Sequence, residues 1–128
     1  MFYGENFVDP TREHVYLVEG ILDAVFASRV LPNAIALMGA NTGIGDERLR
    51  KLRRWCRSLT IVLDSDKAGD EAWAGRLDHR GKHQPGLRDK LRKHFPVKVA
   101  RLPAGEDPAS VTAATLLHAV QGAVYLSA

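Results

Sequence analysis

The feature that most constrains the fold is a short apolar run that ends on two closely spaced carboxylates. Residues Leu59 to Leu63 are apolar or β-branched, which is typical of a strand buried on both faces of a parallel sheet. Asp64 and Asp66 follow directly, and Lys67 then leads into a helical pattern. Because the carboxyl ends of the strands form the crevice of open α/β sheets, this segment predicts a functional site at a strand end.

The two aspartates have two interpretations. Like charges this close repel each other unless a cation lies between them, which favours a divalent metal site. Aspartate is also common in turns and at helix N-caps, so Asp64 and Asp66 are compatible with a purely structural role. The stretch by itself leaves both interpretations open.

Length and composition indicate one compact domain inside the cell. The 128 residues are 45% hydrophobic, which is enough for a sizeable core. The single cysteine, Cys56, excludes an internal disulfide and favours a reducing compartment, and we interpret it as a packing residue. No segment reaches the length of a membrane span, and the first residues lack signal-peptide character. We therefore expect a cytoplasmic protein with no membrane partner.

Two further strands are predicted to be followed by acids. The first predicted strand is His14 to Val18; Glu19 follows it, and Asp23 lies in the first turn of the next helical pattern. The last predicted strand, Val97 to Leu102, is followed by Asp107. Because parallel strands end at the same edge of a sheet, these acids are expected around one crevice. The candidate metal ligands are Glu19, Asp23, Asp64, Asp66 and Asp107.

The donor set predicts the kind of metal. It contains oxygen ligands and neither histidine nor cysteine, which selects Mg²⁺ or Mn²⁺ over zinc. Protein-bound Mg²⁺ usually shares its coordination sphere with substrate phosphates. The set therefore indicates phosphoryl-transfer or phosphodiester chemistry.

Strand and helix patterns alternate along the chain. Strands are predicted at 14–18, 34–38, 59–63 and 97–102, and helices at 21–30, 46–57, 70–77, 87–95 and 112–124. This alternation predicts an α/β fold of about four parallel strands with helices on both faces. Residues 1–13 are expected to form a polar lead, 14–128 the α/β core of a single domain, and 79–86 a basic loop.

The helix predicted after Asp46 is strongly basic. Leu49, Leu52 and Cys56 form its apolar stripe, and arginine and lysine occupy most of the remaining surface. Such a helix can follow a nucleic-acid backbone, although a charge run is more often a solvated face. The candidate phosphate contacts are Arg50, Arg53, Arg54, Arg57 and Lys67.

Four segments resemble the Toprim domain and together cover nearly the whole chain. They are Val18-Glu-Gly-Ile-Leu-Asp-Ala24, Ala36-Leu-Met-Gly39, Val62-Leu-Asp-Ser-Asp-Lys-Ala-Gly69 and Leu102-Pro-Ala-Gly-Glu-Asp-Pro108. The Glu-Gly-x-x-Asp and Asp-x-Asp pair is shared with topoisomerases and Toprim nucleases. The Asp-x-Asp-x-Ala-Gly and Gly-Glu-Asp-Pro stretches favour bacterial DnaG-type primases and related phage or plasmid primases.

The resemblance implies a Rossmann-like Toprim fold and metal-dependent nucleotidyl transfer during RNA primer synthesis in DNA replication. By that resemblance, Glu19 corresponds to an acid near the reacting phosphate, acting as general base or metal ligand, and the four aspartates correspond to metal-binding carboxylates. The implied partners are a single-stranded DNA template, nucleoside triphosphates and, through a larger parent protein, a replicative helicase. Primases often carry a second acid where this chain has Ala109, which leaves an additional metal less firmly held.

Two alternatives remain open. The first is a small Toprim-type nuclease that hydrolyses phosphodiesters through the same acids. The second is a non-catalytic, metal-dependent module that binds nucleic acid or nucleotides. Under the primase interpretation we expect the chain to be part of a larger protein and to make no primers alone, because it has none of the amino-terminal region that supplies basic nucleotide contacts.

Overall fold

The computed structural model describes residues 3–36, 46–63, 75–84 and 86–125. The strands are β1 His14–Val18, β2 Ala34–Ala36, β3 Ser58–Leu63, β4 Arg76–Leu77, β5 His83–Gln84, β6 Val97–Arg101 and β7 Val124–Tyr125. Five of them form the central sheet, in the order β2-β1-β3-β6-β7. The α-helices are α1 Ile21–Ala27, α2 Asp46–Trp55, α3 Leu87–Leu91 and α4 Ala113–Gln121.

Four of the five strands are parallel. In the register of the sheet, Leu17 of β1 lies opposite both Ile35 of β2 and Ile61 of β3. Strand β3 pairs in turn with β6, where Ile61 lies opposite Val99. The predicted arrangement of four parallel strands is confirmed, and β7 adds a fifth, antiparallel strand at the β6 edge.

Helices cover both faces of the sheet, as predicted. Leu59 and Ile61 of β3 point to one face, and Thr60 and Val62 point to the other; all four are at most 3% exposed. The first face packs on α2 and α3 through Leu52, Cys56 and Leu91. The second packs on α1 and α4 through Ala24, Ala27 and Leu116. Burial on both faces explains why the sequence of β3 is a nearly continuous apolar run.

The carboxyl-terminal helix is shorter than the sequence predicts. Thr112 caps α4 by accepting a hydrogen bond from the Thr115 N–H at 3.2 Å, but the helix ends at Gln121 instead of continuing to residue 124. Gly122 follows, and Val124 then pairs antiparallel with Val99. Glycine is a poor helix former, and the outer edge of β6 offers unpaired backbone groups, so the chain turns into a strand.

The segment 79–86, predicted as a basic loop, contains the turn and the second strand of a β-hairpin. Residues 70–74 of the helix predicted before it lie outside the described residues, and the end of that prediction is wrong because Arg76–Leu77 is a strand. Arg76 pairs with Gln84 in an antiparallel two-stranded sheet. The carboxylate of Asp78 accepts hydrogen bonds from the N–H groups of Arg80 and Lys82, at 2.8 and 2.9 Å, and so closes the turn.

The described part of the polar lead packs on the core. Tyr3 and Ala36 exchange two backbone hydrogen bonds of 3.0 and 3.1 Å. Glu5 pairs with Lys51 of α2 at 3.2 Å, which joins the lead to the basic helix. Residues 3–13 are therefore held by specific contacts to β2 and α2.

Two smaller findings complete the fold. Cys56 is buried, its Sγ donates a hydrogen bond to the Leu52 carbonyl at 3.3 Å, and burial raises the pKa of its thiol to about 12. Its predicted packing role is confirmed. Within the described ranges, none of the helices has the length and apolar character needed to cross a membrane.

Candidate metal site at the carboxyl edge of the sheet

The turn between β1 and α1 positions the first two candidate ligands. Glu19 and Gly20 follow β1 directly, and Asp23 lies in the first turn of α1. The Gly20 N–H donates a hydrogen bond to Asp23 Oδ2 at 3.2 Å, so this carboxylate folds back over the strand end. A Cβ atom at position 20 would lie 3.1 Å from the same oxygen, a very tight contact. The glycine therefore permits the carboxylate to lie against the turn.

A second turn positions Asp107. Six residues after the end of β6, its Oδ1 atom accepts hydrogen bonds from the N–H groups of Ala109 and Ser110, both at 2.9 Å. The N–H of Asp107 donates to Ser110 Oγ at 2.9 Å, and Ser110 Oγ also bonds Glu106. These local bonds fix the carboxylate on the loop that leads to α4.

Asp23 and Asp107 interact electrostatically. Asp23 is only 7% exposed, and burial, followed by the negative charge of Asp107, raises the pKa of its carboxyl above the ordinary value. The N–H groups of Gly20 and Ala109 oppose this change by lowering the pKa of Asp23. Two carboxylates from different elements thus lie close enough to repel each other in a partly desolvated place.

The backbone N–H of Ala109 contributes to the site although position 109 carries no acid. Sequence reasoning treats Ala109 only as the loss of a carboxylate. In the structure its backbone N–H serves Asp107 directly and also stabilises the charged form of Asp23. Side-chain patterns carry no information on such a backbone contribution, which is why the sequence did not reveal it.

Glu19 lies at the same edge of the sheet. It directly follows β1, which is the parallel neighbour of β3, and both strands therefore end on one side of the sheet. The side chain of Glu19 is half-buried, and Glu19 interacts with at least one other group of the protein. Asp64, Asp66 and Lys67 follow β3 in the sequence and lie outside the described residues.

The described residues do not by themselves form a complete metal site. In ranges 3–36, 46–63, 75–84 and 86–125, no group of three or more His, Cys, Asp or Glu side chains is arranged to hold a metal ion. What is present is the repelling pair Asp23 and Asp107, with oxygen donors only. This donor chemistry fits a hard divalent cation, which would relieve the repulsion.

The basic helix has the predicted apolar stripe and an exposed basic surface. Leu52 and Cys56 are buried, and Leu49 packs against the same cluster. Arg57, just after α2, forms an ion pair with Glu13 at 3.6 Å. Exposed side chains on and after this helix include Arg50, Arg53, Arg54 and Arg57.

The opposite edge of the sheet holds a polar cluster that sequence reasoning missed. His14 Nδ1 lies 2.6 Å from Ser58 Oγ, and its Nε2 lies 2.8 Å from Thr60 Oγ1. Burial, and then the charge of Lys98, lowers the pKa of His14. The available signal was the presence of polar residues at alternate positions of otherwise apolar strands. We call His14, Ser58 and Thr60 the amino-edge cluster.

Comparison with known proteins decides the family. A model described as Toprim-like matches residues 16–112, which includes the strand end at Glu19 and the loop at Asp107. This chain belongs to the Toprim-like family. The predicted Toprim resemblance and fold are confirmed.

The relatives of this Toprim-like chain include bacterial primases. The DNA primase of Geobacillus stearothermophilus is 39% identical over 99 residues, which cover 76% of this chain but 14% of the relative. The RNA polymerase domain of Mycobacterium tuberculosis primase DnaG, solved in complex with double-stranded DNA, matches with 27% identity and a TM-score of 0.63. That match covers 89% of this chain and 35% of the other.

A more distant structure shares the fold alone. The Aquifex aeolicus primase, with its zinc-binding and RNA polymerase domains, matches with 19% identity and a TM-score of 0.68. The match covers 97% of this chain and 29% of the Aquifex chain. The Toprim-like chain thus corresponds to one part of the primase catalytic cores that it matches.

Proposed function

We propose that this Toprim-like chain is the metal-binding catalytic domain of a DNA primase, which transfers nucleotides during RNA primer synthesis. The observation that carries the proposal is the coupled pair Asp23 and Asp107 at the carboxyl edge, in a chain related to primases. The same acids would suit a Toprim-type nuclease or a non-catalytic binding module. The primase relatives favour primer synthesis over both alternatives.

The proposed ligands are the five acids that follow strands. Asp23, Asp64, Asp66 and Asp107 would hold Mg²⁺ or Mn²⁺, which supplies charge neutralisation for the triphosphate and the leaving pyrophosphate. Glu19 would lie nearest the reacting phosphate, as a ligand or as the general base for the primer hydroxyl. The Gly20 and Ala109 N–H groups support Asp23 in its charged form and so prepare it to bind a cation.

The proposed partners follow from the same chemistry. Nucleoside triphosphates and a single-stranded DNA template would meet at the carboxyl edge, and Arg50, Arg53, Arg54, Arg57 and Lys67 are candidate phosphate contacts. A replicative helicase would interact through other parts of a larger protein. We place this activity in the cytoplasm, where a bacterial primase meets the chromosome.

The share of each relative that is covered supports a division of labour. Residues 1–128 would act as one Toprim domain within a larger primase-like protein, since the match covers 14% of the Geobacillus primase. Other parts would hold the template and the incoming nucleotide, because orientation of the reactants supplies much of the rate. The chain by itself should therefore bind metal without making primers.

The experiment that tests this function is a domain exchange. Residues 16–112 replace the matching segment of the Geobacillus primase, and template-directed incorporation of ribonucleotides is measured with Mg²⁺ and with a chelator. We expect metal-dependent primer synthesis, and a loss of about 100-fold or more in the Glu19→Gln version, a change typical of removing a group that acts on the reacting atoms. The control is the same domain-exchange protein with Glu47→Gln, a substitution of an exposed acid on α2.

Two outcomes would overturn the proposal in different ways. An inactive exchange protein whose segment still binds Mn²⁺ would reject the primase function and retain the metal site. Full activity of the Glu19→Gln version would reject the assignment of Glu19. Primer synthesis by the 128-residue chain alone would contradict the division of labour.

A further inference from the structure

The positive charge of the chain is concentrated in one segment. Between Arg76 and His94 lie seven of the 18 lysines and arginines but only two of the 15 acids. The rest of the chain has 11 basic residues against 13 acidic ones, so it is slightly negative. We call residues 76–94 the basic segment; it contains the β4–β5 hairpin and α3. This segment therefore gives the protein its positive net charge.

The two acids of the basic segment are directed at the backbone. Asp78 Oδ1 accepts from two turn N–H groups, and Asp89 Oδ2 accepts from the Gly86 N–H at 3.3 Å at the start of α3. Asp89 also forms an ion pair with Arg88 at 3.9 Å, within the same segment. Lys51 and Arg57, on and after α2, instead pair with acids of the polar lead. The carboxylates of the basic segment thus shape its turns.

The hairpin turn presents cations at a defined tip. Besides the two bonds to the Asp78 carboxylate, the Asp78 N–H donates to the Lys82 carbonyl at 2.8 Å and the Gly81 N–H donates to the Asp78 carbonyl at 2.9 Å. Gly81 has φ of +78°, and the space beside its Cα is open. His79, Arg80 and Lys82 are all exposed. The tip is ordered before any ligand arrives, so little freedom is lost when its cations are used.

The hairpin lies in the crossover that connects the end of β3 with the start of β6, two parallel neighbours in the sheet. That crossover begins at the carboxyl edge, where Glu19 and Asp107 follow their strands. The acids of that edge repel phosphates when no metal is present, so a separate basic element is needed to hold a nucleic-acid strand.

We propose that the β4–β5 hairpin binds the phosphate backbone of single-stranded DNA, with Arg80 and Lys82 as the contacting residues. The inference rests on the proposed function, because it identifies where the template would be held. A backbone contact needs exposed cations and no particular base, and the hairpin tip offers both. The contact is expected to be independent of metal, since neither residue belongs to the acidic edge.

The first test compares two double variants of the 128-residue chain. Binding of a fluorescein-labelled oligothymidylate is followed by anisotropy at several salt concentrations in a chelator. Arg80→Gln with Lys82→Gln should reduce the logarithmic salt slope by about 1.4, since each single-strand phosphate contact contributes about 0.7. At 0.1 M salt the affinity should fall by roughly tenfold. The control, Arg12→Gln with Arg29→Gln, removes the same charge from other parts of the surface.

The second test separates turn geometry from net charge. Asp78→Asn and Asp78→Ala remove the same negative charge, but only asparagine keeps a side-chain oxygen that can accept from the N–H groups of Arg80 and Lys82. Asp78→Asn should bind DNA as tightly as the parent chain or more tightly. Asp78→Ala should bind several-fold more weakly than Asp78→Asn, because the tip is no longer ordered.

The proposal is overturned if the tip variant binds no more weakly than the Arg12 and Arg29 control, or if Asp78→Ala and Asp78→Asn bind equally. Circular dichroism melting of every variant checks that exposed substitutions leave the fold intact. Because binding is measured in a chelator, its loss does not depend on the metal site. Failure of the proposed function would appear instead as an inactive domain-exchange protein, with DNA binding by the 128-residue chain retained.

Discussion

The two edges of the central sheet carry polar residues in opposite states. At the amino edge, both ring nitrogens of His14 are paired with hydroxyl groups, at 2.6 and 2.8 Å. At the carboxyl edge, Asp23 is almost fully buried and lies near the like charge of Asp107. In the amino-edge cluster the side chains hydrogen-bond one another, whereas the carboxylates of Asp23 and Asp107 repel each other.

This difference leads to a prediction for each edge: the amino edge contributes to stability, and the carboxyl edge binds a cation, as proposed. Buried polar groups that are fully hydrogen-bonded contribute to folding and specify a single core. Asp23 and Asp107 are two carboxylates that repel each other in a partly buried place, and a bound cation would remove that repulsion. The amino-edge cluster is therefore expected to matter for stability, and the carboxyl edge for cation binding.

The largest expected effect is the response of the carboxyl edge to metal. Mn²⁺ at about 100 times its dissociation constant should raise the free energy of unfolding by about 3 kcal/mol, because it binds only the folded chain. Asp23→Asn should reduce this response and leave the fold intact in a chelator; Glu47→Gln should keep the response. Differential scanning calorimetry with and without Mn²⁺ measures both. Identical melting of the parent chain in Mn²⁺ and in chelator would contradict a metal site at this edge.

A somewhat smaller effect is expected at the amino edge. His14→Ala removes two hydrogen bonds and leaves the hydroxyl of Thr60, which is 2% exposed, without its partner. The expected loss is about 2 kcal/mol in the free energy of unfolding, measured by urea denaturation. His118→Ala, an exposed histidine on α4, should change it by less than about 0.5 kcal/mol. Equal losses for the two variants would show that the cluster is not structural.

Thr60→Val sharpens the same comparison with a near-isosteric change. The substitution removes one hydroxyl and leaves His14 Nε2 unpaired, at a cost of about 1 kcal/mol in the same denaturation experiment. Because the amino edge is assigned no role in metal binding, the shift in melting temperature with Mn²⁺ should be unchanged. A loss of metal response in this variant would mean that the two edges are coupled.

The smallest expected effects are pH slopes of opposite sign at the two edges, measured without metal. The folded protein lowers the pKa of His14 from 6.5, so its contribution to stability is present above pH 6.5 and is lost as pH falls toward the folded pKa. The pKa of Asp23 is raised from 3.8, so its contribution is present below pH 3.8 and is lost as pH rises through the folded pKa. Melting temperatures are measured across pH 3 to 8 for both variants. His14→Ala should lack the loss of stability as pH falls below 6.5, and Asp23→Asn should lack the loss of stability as pH rises above 3.8. A variant that keeps its slope would assign that slope to another group.

Local patterns in the sequence determined much of the sheet and its strand ends. The apolar run of β3 required burial on both faces, and the acids Glu19 and Asp107 follow their strands in any α/β arrangement of this order. The last helix was predicted to begin at residue 112, and the four parallel strands followed from the alternation of patterns. These features depend on residues close in sequence, which is why they could be predicted. Asp64 and Asp66, the most suggestive pair, lie outside the described residues and remain predictions.

Tertiary contacts decided the rest. The helical pattern groups Leu22, Val25 and Phe26 on one side of α1, yet these large residues are 37% exposed or more, while Asp23 is buried on the opposite side. Small side chains at Ala24 and Ala27 let α1 approach the sheet closely, and no local pattern reveals which face will do so.

Three further features depend on partners distant in sequence. They are the pairing of β7 with β6, the contact of His14 with Ser58 and Thr60 across 44 and 46 residues, and the repulsion between Asp23 and Asp107. The sequence determined which chemical groups are available at each strand end. Only the folded sheet decided which of them are paired and which repel, because that depends on distances that chain order alone does not set.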